Sequence, residues 1–283
     1  MNINEPFYTS DWHIHSVASY DAHLHVADLV SQAEKQGLTD YGLTDHVNVP
    51  SWIHFLKASR ELVRQYARPG FHFGVELTTI SGYLERYDRE HGTKEGYVKP
   101  DVPGPEPVAF PLTAEELDEC GVEYVIGAGH WILNAPRTQE IIVADMHRQN
   151  LVCATSPLVD IVGHPYCFFG TYEDKSGRQV PFDDFSIIPR SMHEELWAAI
   201  LEHGKAMEAN IDFFCGNHPE PFRRAYAEFV RGAFEKGVPI TIGTDCHGPQ
   251  YNDRNDVCRE YLGKVGFKPG DFAMPRFRKP RTV

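Results

Sequence analysis

The stretch Asp11-Trp12-His13-Ile14-His15 closes a strand-like run that begins at residue 8. A second such stretch, Gly243-Thr244-Asp245-Cys246-His247, closes a run that begins at residue 239. In a β-strand, side chains two residues apart point to the same face. His13 and His15 can therefore grip one ion, as can Asp245 and His247, while Ile14 and Cys246 point away. Whether other strands end in the same way decides both the fold and the chemistry.

They do. Candidate strands cover residues 8–15, 41–46, 71–79, 123–130, 160–166, 205–211 and 239–247. The second ends Thr44-Asp45-His46 and the third carries Gly74-Val75-Glu76. The fourth ends Gly127-Ala128-Gly129-His130, and the fifth carries Gly163-His164-Pro165. Helix-like stretches lie between and after them, at 26–36, 52–68, 114–119, 138–149, 192–203, 220–236 and 253–264. Gly37, Gly204 and Gly237 are placed as C-terminal stops, and Thr113 with Glu116 and Ser191 with Glu194 have capping-box spacing. Alternating strands and helices argue for a parallel sheet, and seven similarly spaced strand signals favour an α/β barrel. No GxGxxG follows the first strand, which removes the dinucleotide-binding form of a doubly wound sheet.

Parallel barrels place their active sites at the C-terminal strand ends. Six of the seven strands thus deliver a metal-capable side chain to one mouth, six histidines and two carboxylates in all. Burying that set without a cation would leave polar groups unsatisfied, so the joint pattern reads as a metal site. The sixth strand ends Glu208-Ala209-Asn210, and these two polar residues share a face towards the mouth. His72 is expected as a hydrogen-bonded core histidine, and His23 and His25 as a solvated pair. His54, His91, His147, His193, His203 and His218 fall in helix or loop segments and are expected at the surface.

The 283 residues carry 40 acidic and 27 basic side chains, a net charge of −13. A long nucleic acid is held mainly by Lys and Arg, so that balance excludes an extended nucleic-acid track and leaves room for a small phosphorylated substrate. No apolar run approaches the roughly 18 residues that span a bilayer, and no secretory pattern opens the sequence, so a cytoplasmic protein without a membrane partner is expected. The six cysteines contain no CxxC pair and read as reduced thiols. Residues 81–112, rich in Gly, Pro, Tyr and charge, form a candidate functional insertion. The expected organisation is one barrel domain over 1–267 with that insertion, then a basic surface tail over 268–283.

The ordered set HxH, TDH, GxE, H, GHP and DxH resembles the polymerase-and-histidinol-phosphatase (PHP) superfamily, and the resemblance spans residues 8–247. It implies a distorted TIM-like (β/α)7 barrel, a centre of two or three divalent ions (zinc, manganese or iron) and phosphoesterase activity. The resemblance assigns His13, His15, Glu76 and Asp245 to a first ion, and makes Glu76 a bridge to a second held by His130 and His164. Asp21, His46 and His247 would hold a third; Asp21, in the loop after the first strand, enters through the resemblance alone. A hydroxide bridging ions near Glu76, Asp245 and His247 is then the expected nucleophile on a small phosphate monoester such as a histidinol-phosphate-like compound, a sugar phosphate or a nucleotide. Arginine is a natural clamp for a phosphate dianion, and Arg86, Arg137 and Arg254 are candidates, with Asn210 as a further substrate contact. Other readings of the same residues are a nucleotide or oligonucleotide phosphodiesterase or exonuclease, a metal-dependent amidohydrolase and a non-catalytic metal-binding module.

Overall fold

The computed structural model describes residues 6–92, 106–133, 136–168, 170–216, 218–251 and 254–278. Seven parallel strands run in sequence order around a nearly closed barrel: β1 (Ser10–Ile14), β2 (Asp40–Leu43), β3 (Phe71–Thr78), β4 (Tyr124–Ala128), β5 (Ile161–Val162), β6 (Ala206–Asn210) and β7 (Ile240–Gly243). The gap between β1 and β7 is bridged beyond the strand ends, where Asp245 N donates to the His13 carbonyl at 2.8 Å and His15 N to that of Cys246 at 3.1 Å. After β2 the short strand His46–Val47 pairs with β3, aligning His46 with Glu76.

Helices α1 (Val26–Lys35), α2 (Ile53–Gln65), α3 (Gly82–His91), α4 (Ala114–Cys120), α5 (Gln139–Thr155), α6 (Arg190–Glu202), α7 (Asp212–Cys215), α8 (Glu220–Glu235) and α9 (Asn255–Cys258) complete the chain. Gly37, Gly204 and Gly237 follow α1, α6 and α8 with positive φ, as their placement as stops requires. The Thr113–Glu116 capping box forms. The Ser191–Glu194 box does not, because Pro189 is the N-cap and Ser191 already lies inside α6. Helix α5 runs to Thr155, beyond residue 149, since its last turns carry apolar residues that pack on the barrel. No helix among the described residues is long and apolar enough to cross a membrane.

Inside the barrel, polarity changes with depth. A lower layer of Trp12, Tyr124, Ile126, Ile161 and Ala206 forms a compact apolar cluster, and the Tyr124 hydroxyl donates to the Trp12 carbonyl at 2.8 Å. Residues 268–278 run along the surface at this end of the barrel. Arg278 N donates to the Glu123 carbonyl, and the Phe277 ring sits 5.7 Å from Trp12 and 4.7 Å from His72. His72 is hydrogen-bonded to Glu123 at 2.9 Å. The upper layer consists of charged and imidazole side chains.

The first part of the insertion is α3, a helix hidden in sequence by its polar composition. Ser81 caps it, accepting from Leu84 N, and an antiparallel pair of short strands, Ile80–Ser81 with Val108–Ala109, ties its base. His147 and His193 also depart from expectation. Both are buried: His147 bonds to the Tyr166 hydroxyl at 3.0 Å and to Glu195 at 3.2 Å, while His193 packs on Phe185, Trp197 and Phe229.

Candidate metal centre

All nine strand-end and loop residues singled out above converge at the C-terminal mouth. Glu76 is fully buried at their centre. One of its oxygens, Oε1, lies 2.8 Å from His164 Nε2 and 3.0 Å from His130 Nε2. The other, Oε2, lies 2.8 Å from His46 Nδ1, 3.0 Å from His13 Nε2 and 3.4 Å from His15 Nε2. Asp245 Oδ1 is 3.1 Å from His15 Nε2 and 3.4 Å from His13 Nε2. Farther out, His247 Nε2 faces His46 Nε2 at 3.4 Å. Asp21 Oδ2 lies 3.5 Å and 3.7 Å from those two nitrogens.

Three of the imidazoles are held by Nδ1 so that Nε2 faces the cluster. His13 Nδ1 donates to Glu208 at 2.7 Å, His130 Nδ1 to the Thr78 hydroxyl at 2.9 Å, and His247 Nδ1 to the Asp245 carbonyl at 2.9 Å. Thr78 in turn donates to Asn48, which leaves its oxygen free to accept from His130. Anchoring one ring nitrogen to orient the other is the usual arrangement behind metal-ligating histidine.

The donor set fits a cation better than it fits itself. His13 Nε2, His46 Nδ1 and Glu76 Oε2 are buried and close together, yet none makes a hydrogen bond of acceptable geometry among the described residues. Four overlapping groups of three residues bring ligand atoms within 4.8 Å of one another, and together they take in eight of the nine residues, all but Asp21. Burial opposes ionisation of Glu76, but His46, His13 and His130 hold its carboxyl well below the usual range. Burial likewise opposes ionisation of Asp245, and His13 and His15 outweigh it. His130 and His247 are pushed down to about 4 by burial, with neighbouring histidines adding to the effect. Burial opposes charge on His13 and His15 as well, but the nearby carboxylates outweigh it and push His13 up and His15 up to about 9. Carboxylates beside imidazoles make a nitrogen–oxygen site suited to zinc, manganese or iron.

Backbone geometry supports this placement. Asp245 adopts φ 53° and His164 φ 20°, two of three described non-glycine residues with positive φ; such conformations gather at functional sites. Because Asp245 leaves the extended conformation, strand alternation fails there, and Cys246 lines the cavity instead of facing away. Gly243 matters for space: a Cβ there would lie 1.9 Å from Glu208 Oε1 and 2.7 Å from His13 Cβ.

The cavity above the cluster has a volume of about 460 Å³, and its wall includes Tyr20, Trp131, Asp212, Gln250 and Arg254. Among the described residues Arg254 is its one Lys or Arg. Arg86 is on α3, paired with Glu106 at 3.3 Å, and the Arg137 guanidinium lies 5.9 Å from the Phe168 ring centroid; neither lines the cavity. Asn210 is fully buried and donates to Asp245 Oδ2 at 3.1 Å, so it reaches the site from behind a candidate ligand. His23 and His25 are exposed, as expected. No described residue of the insertion lines the cavity, and residues 93–105 lie outside the described residues. Sequence reasoning missed Asp212, although it continues the Glu208, Asn210 alternation by one more step.

Comparison with known proteins bears on this arrangement. Residues 11–211 match the family model of the PHP domain. A probable phosphatase of Enterobacter sp. (strain 638) is 24% identical over 267 residues, 92% of this chain and 87% of that protein. Among solved structures, the histidinol phosphate phosphatase of Lactococcus lactis subsp. lactis, complexed with zinc, L-histidinol and phosphate, superposes with a TM-score of 0.62 at 18% identity. That superposition covers 96% of this chain and all of the other, and it shows a shared fold.

Proposed function

The chain belongs to the PHP domain family, and from that premise we propose that it is a metal-dependent phosphoesterase that hydrolyses a small phosphate monoester. The observation that carries the reading is the anchoring of His13, His130 and His247 through Nδ1, which turns the Nε2 atoms of His13 and His130 towards Glu76 and that of His247 towards His46 and Asp21. His13, His15, Glu76 and Asp245 would hold one ion, and Glu76, His130 and His164 a second. Asp21, His46 and His247 would hold a third. Such ions supply a water-derived nucleophile at neutral pH and a positive clamp for the phosphoryl oxygens.

The protein's own groups have separate tasks. Glu208 fixes the His13 tautomer and also accepts from His164 N, which ties β5 to β1 across the barrel. Asn210 orients Asp245. Arg254 is available to bind the phosphate, because its guanidinium has no hydrogen-bond or ion-pair partner among the described residues. The zinc-bound structure of the Lactococcus lactis enzyme and the probable phosphatase from Enterobacter support the reaction class. A histidinol-phosphate-like compound, a sugar phosphate and a nucleotide remain the candidate substrates. A cytoplasmic setting is part of the reading, supported by six cysteines that form no disulfide among the described residues.

Phosphate release from a panel of monoesters and short oligonucleotides tests the proposal. Turnover of a monoester that is lost on chelation and restored by a divalent ion is expected. Metal-dependent cleavage of oligonucleotides with no monoester turned over at comparable rates would overturn it.

A further inference from the structure

No described residue of the insertion lines the cavity, yet a run of hydrogen bonds ties the insertion's foot to the cavity wall. Asp145, Arg148 and Gln149 share one face of α5, at the i, i+3, i+4 spacing of helix neighbours. Asp145 is buried. Its Oδ2 accepts from Leu133 N at 2.6 Å and from Gln149 Nε2 at 2.9 Å, and its Oδ1 from Arg148 Nη2 at 2.7 Å. Gln149 Nε2 also donates to the Trp131 carbonyl at 2.9 Å, and the Gln149 amide oxygen accepts from the Thr79 hydroxyl. The other arm of the Arg148 guanidinium, Nη1, donates to the Glu106 carbonyl at 2.8 Å, where the insertion returns to the barrel. Just beyond, the Pro107 carbonyl accepts from Gly82 N, and Val108–Ala109 pair with Ile80–Ser81.

Residues 131–133 form an irregular stretch directly after the candidate ligand His130. Trp131 is partly buried in the cavity wall, its ring centroid 5.5 Å from that of His130. An irregular segment at a binding site stays mobile unless its backbone groups are held. A buried carboxylate persists only where donors satisfy it, and the donors to Asp145 include the stretch itself and the arginine that grips the insertion. Resting on the phosphoesterase reading, we infer that Asp145 is a positioning residue through which the insertion acts on substrate binding. It holds residues 131–133 against α5 and so fixes Trp131 as a wall of the cavity. Through Arg148 it makes that wall depend on the foot of the insertion. Asp145, Arg148 and Gln149 belong to none of the candidate metal-ligand groups, so substrate binding depends on them more than metal retention does.

Arg148→Met keeps an aliphatic stem and removes the link to Glu106, while Asp145→Asn weakens both arms without opening a void. The metal-replete full chain and the two variants are compared by metal content and by kcat and KM on para-nitrophenyl phosphate and the fastest monoester of the panel. Trp131 emission is taken as the difference from the matching Trp131→Phe protein. Both variants should keep their metal and a kcat within about twofold of wild type, and should raise KM about fivefold or more. Trp131 emission should shift to the red and become easier to quench with acrylamide. Replacing residues 82–107 with a short linker in the Arg148→Met background should add little to the change in KM, since both act through one path. Wild-type KM and emission in Arg148→Met overturn the inference, whether or not Asp145→Asn folds. So do additive effects of Arg148→Met and the linker, or a loss of metal in step with the rise in KM; each leaves the phosphoesterase reading intact. Failure of the metal-replete wild type to hydrolyse any monoester overturns that reading, and the inference with it.

Discussion

Gly243 and Glu208 show how single residues build this site. Glu208 reaches His13 because nothing projects from Gly243. Gly243→Ala should displace Glu208 and loosen His13, at a cost of about 1–3 kcal/mol in stability from overpacking and with weaker metal retention. Glu208→Gln should lower metal affinity by about 10–100-fold, and Glu76→Gln by more, with activity lost in parallel. Titration of bound metal against a competing chelator checks all three; full occupancy and normal turnover in Glu76→Gln would move the bridge elsewhere. Eight of the nine residues were legible because they sit at or just beyond strand ends, where barrel polarity predicts a position at the mouth; alternation adds the direction of His13 and His15 but fails at Asp245. Asp21 was not, because a loop position has no period. The buried supports Asp11 and Asp45 were missed for a different reason. Asp11 accepts from Thr244 and Tyr251, and Asp45 from Ser16 and Ser59. Each is a satisfied acceptor whose donors lie far away in sequence or on another element.

At the scale of elements, legibility followed periodicity. Helix α3 was hidden because its ten residues are mostly polar and begin at Gly82. Its anchoring depends on tertiary contacts, such as Asp88 accepting from Ser51 N at 2.6 Å. Strand β5 is only two residues long, since the chain turns at His164, where the ligand direction replaces the strand path. Replacing residues 82–107 with a short linker should alter the substrate profile and leave metal content nearly unchanged; an identical profile would assign the insertion to stability alone. Helix α6 supplies a pH prediction independent of the metal centre. Burial lowers His193 to about 4, with Arg190 adding to the effect. Its folded value lies below its unfolded one, so its stabilisation is complete above about pH 6.5 and lost as pH falls towards 4. Thermal unfolding across that range should show His193→Phe less acid-sensitive than wild type; parallel profiles would contradict this assignment.

For the whole molecule, metal and fold are expected to be coupled, because the candidate ligands come from six of the seven strands or the turns after them. An ion present at about 100 times its Kd stabilises the folded chain by about 2.7 kcal/mol. Chelation should lower Tm by roughly 5–10 °C, and re-addition of a divalent ion should restore it. Metal affinity and activity should both fall on acidification, since the histidine ligands bind metal only when neutral. From the net charge of −13, association with long nucleic acid is expected to be weak and steeply salt-dependent; filter binding at two ionic strengths would measure it.

The central claim is that these strand ends assemble a multi-ion centre around Glu76, and anomalous X-ray diffraction from crystals grown with a divalent transition metal tests it most directly. The account expects at least two anomalous peaks at the barrel mouth, both within about 2 Å of Glu76 oxygens, with His13, His15 and Asp245 on one and His130 and His164 on the other. A fully loaded crystal with no peak at the mouth, or with one ion that Glu76 does not touch, would contradict it.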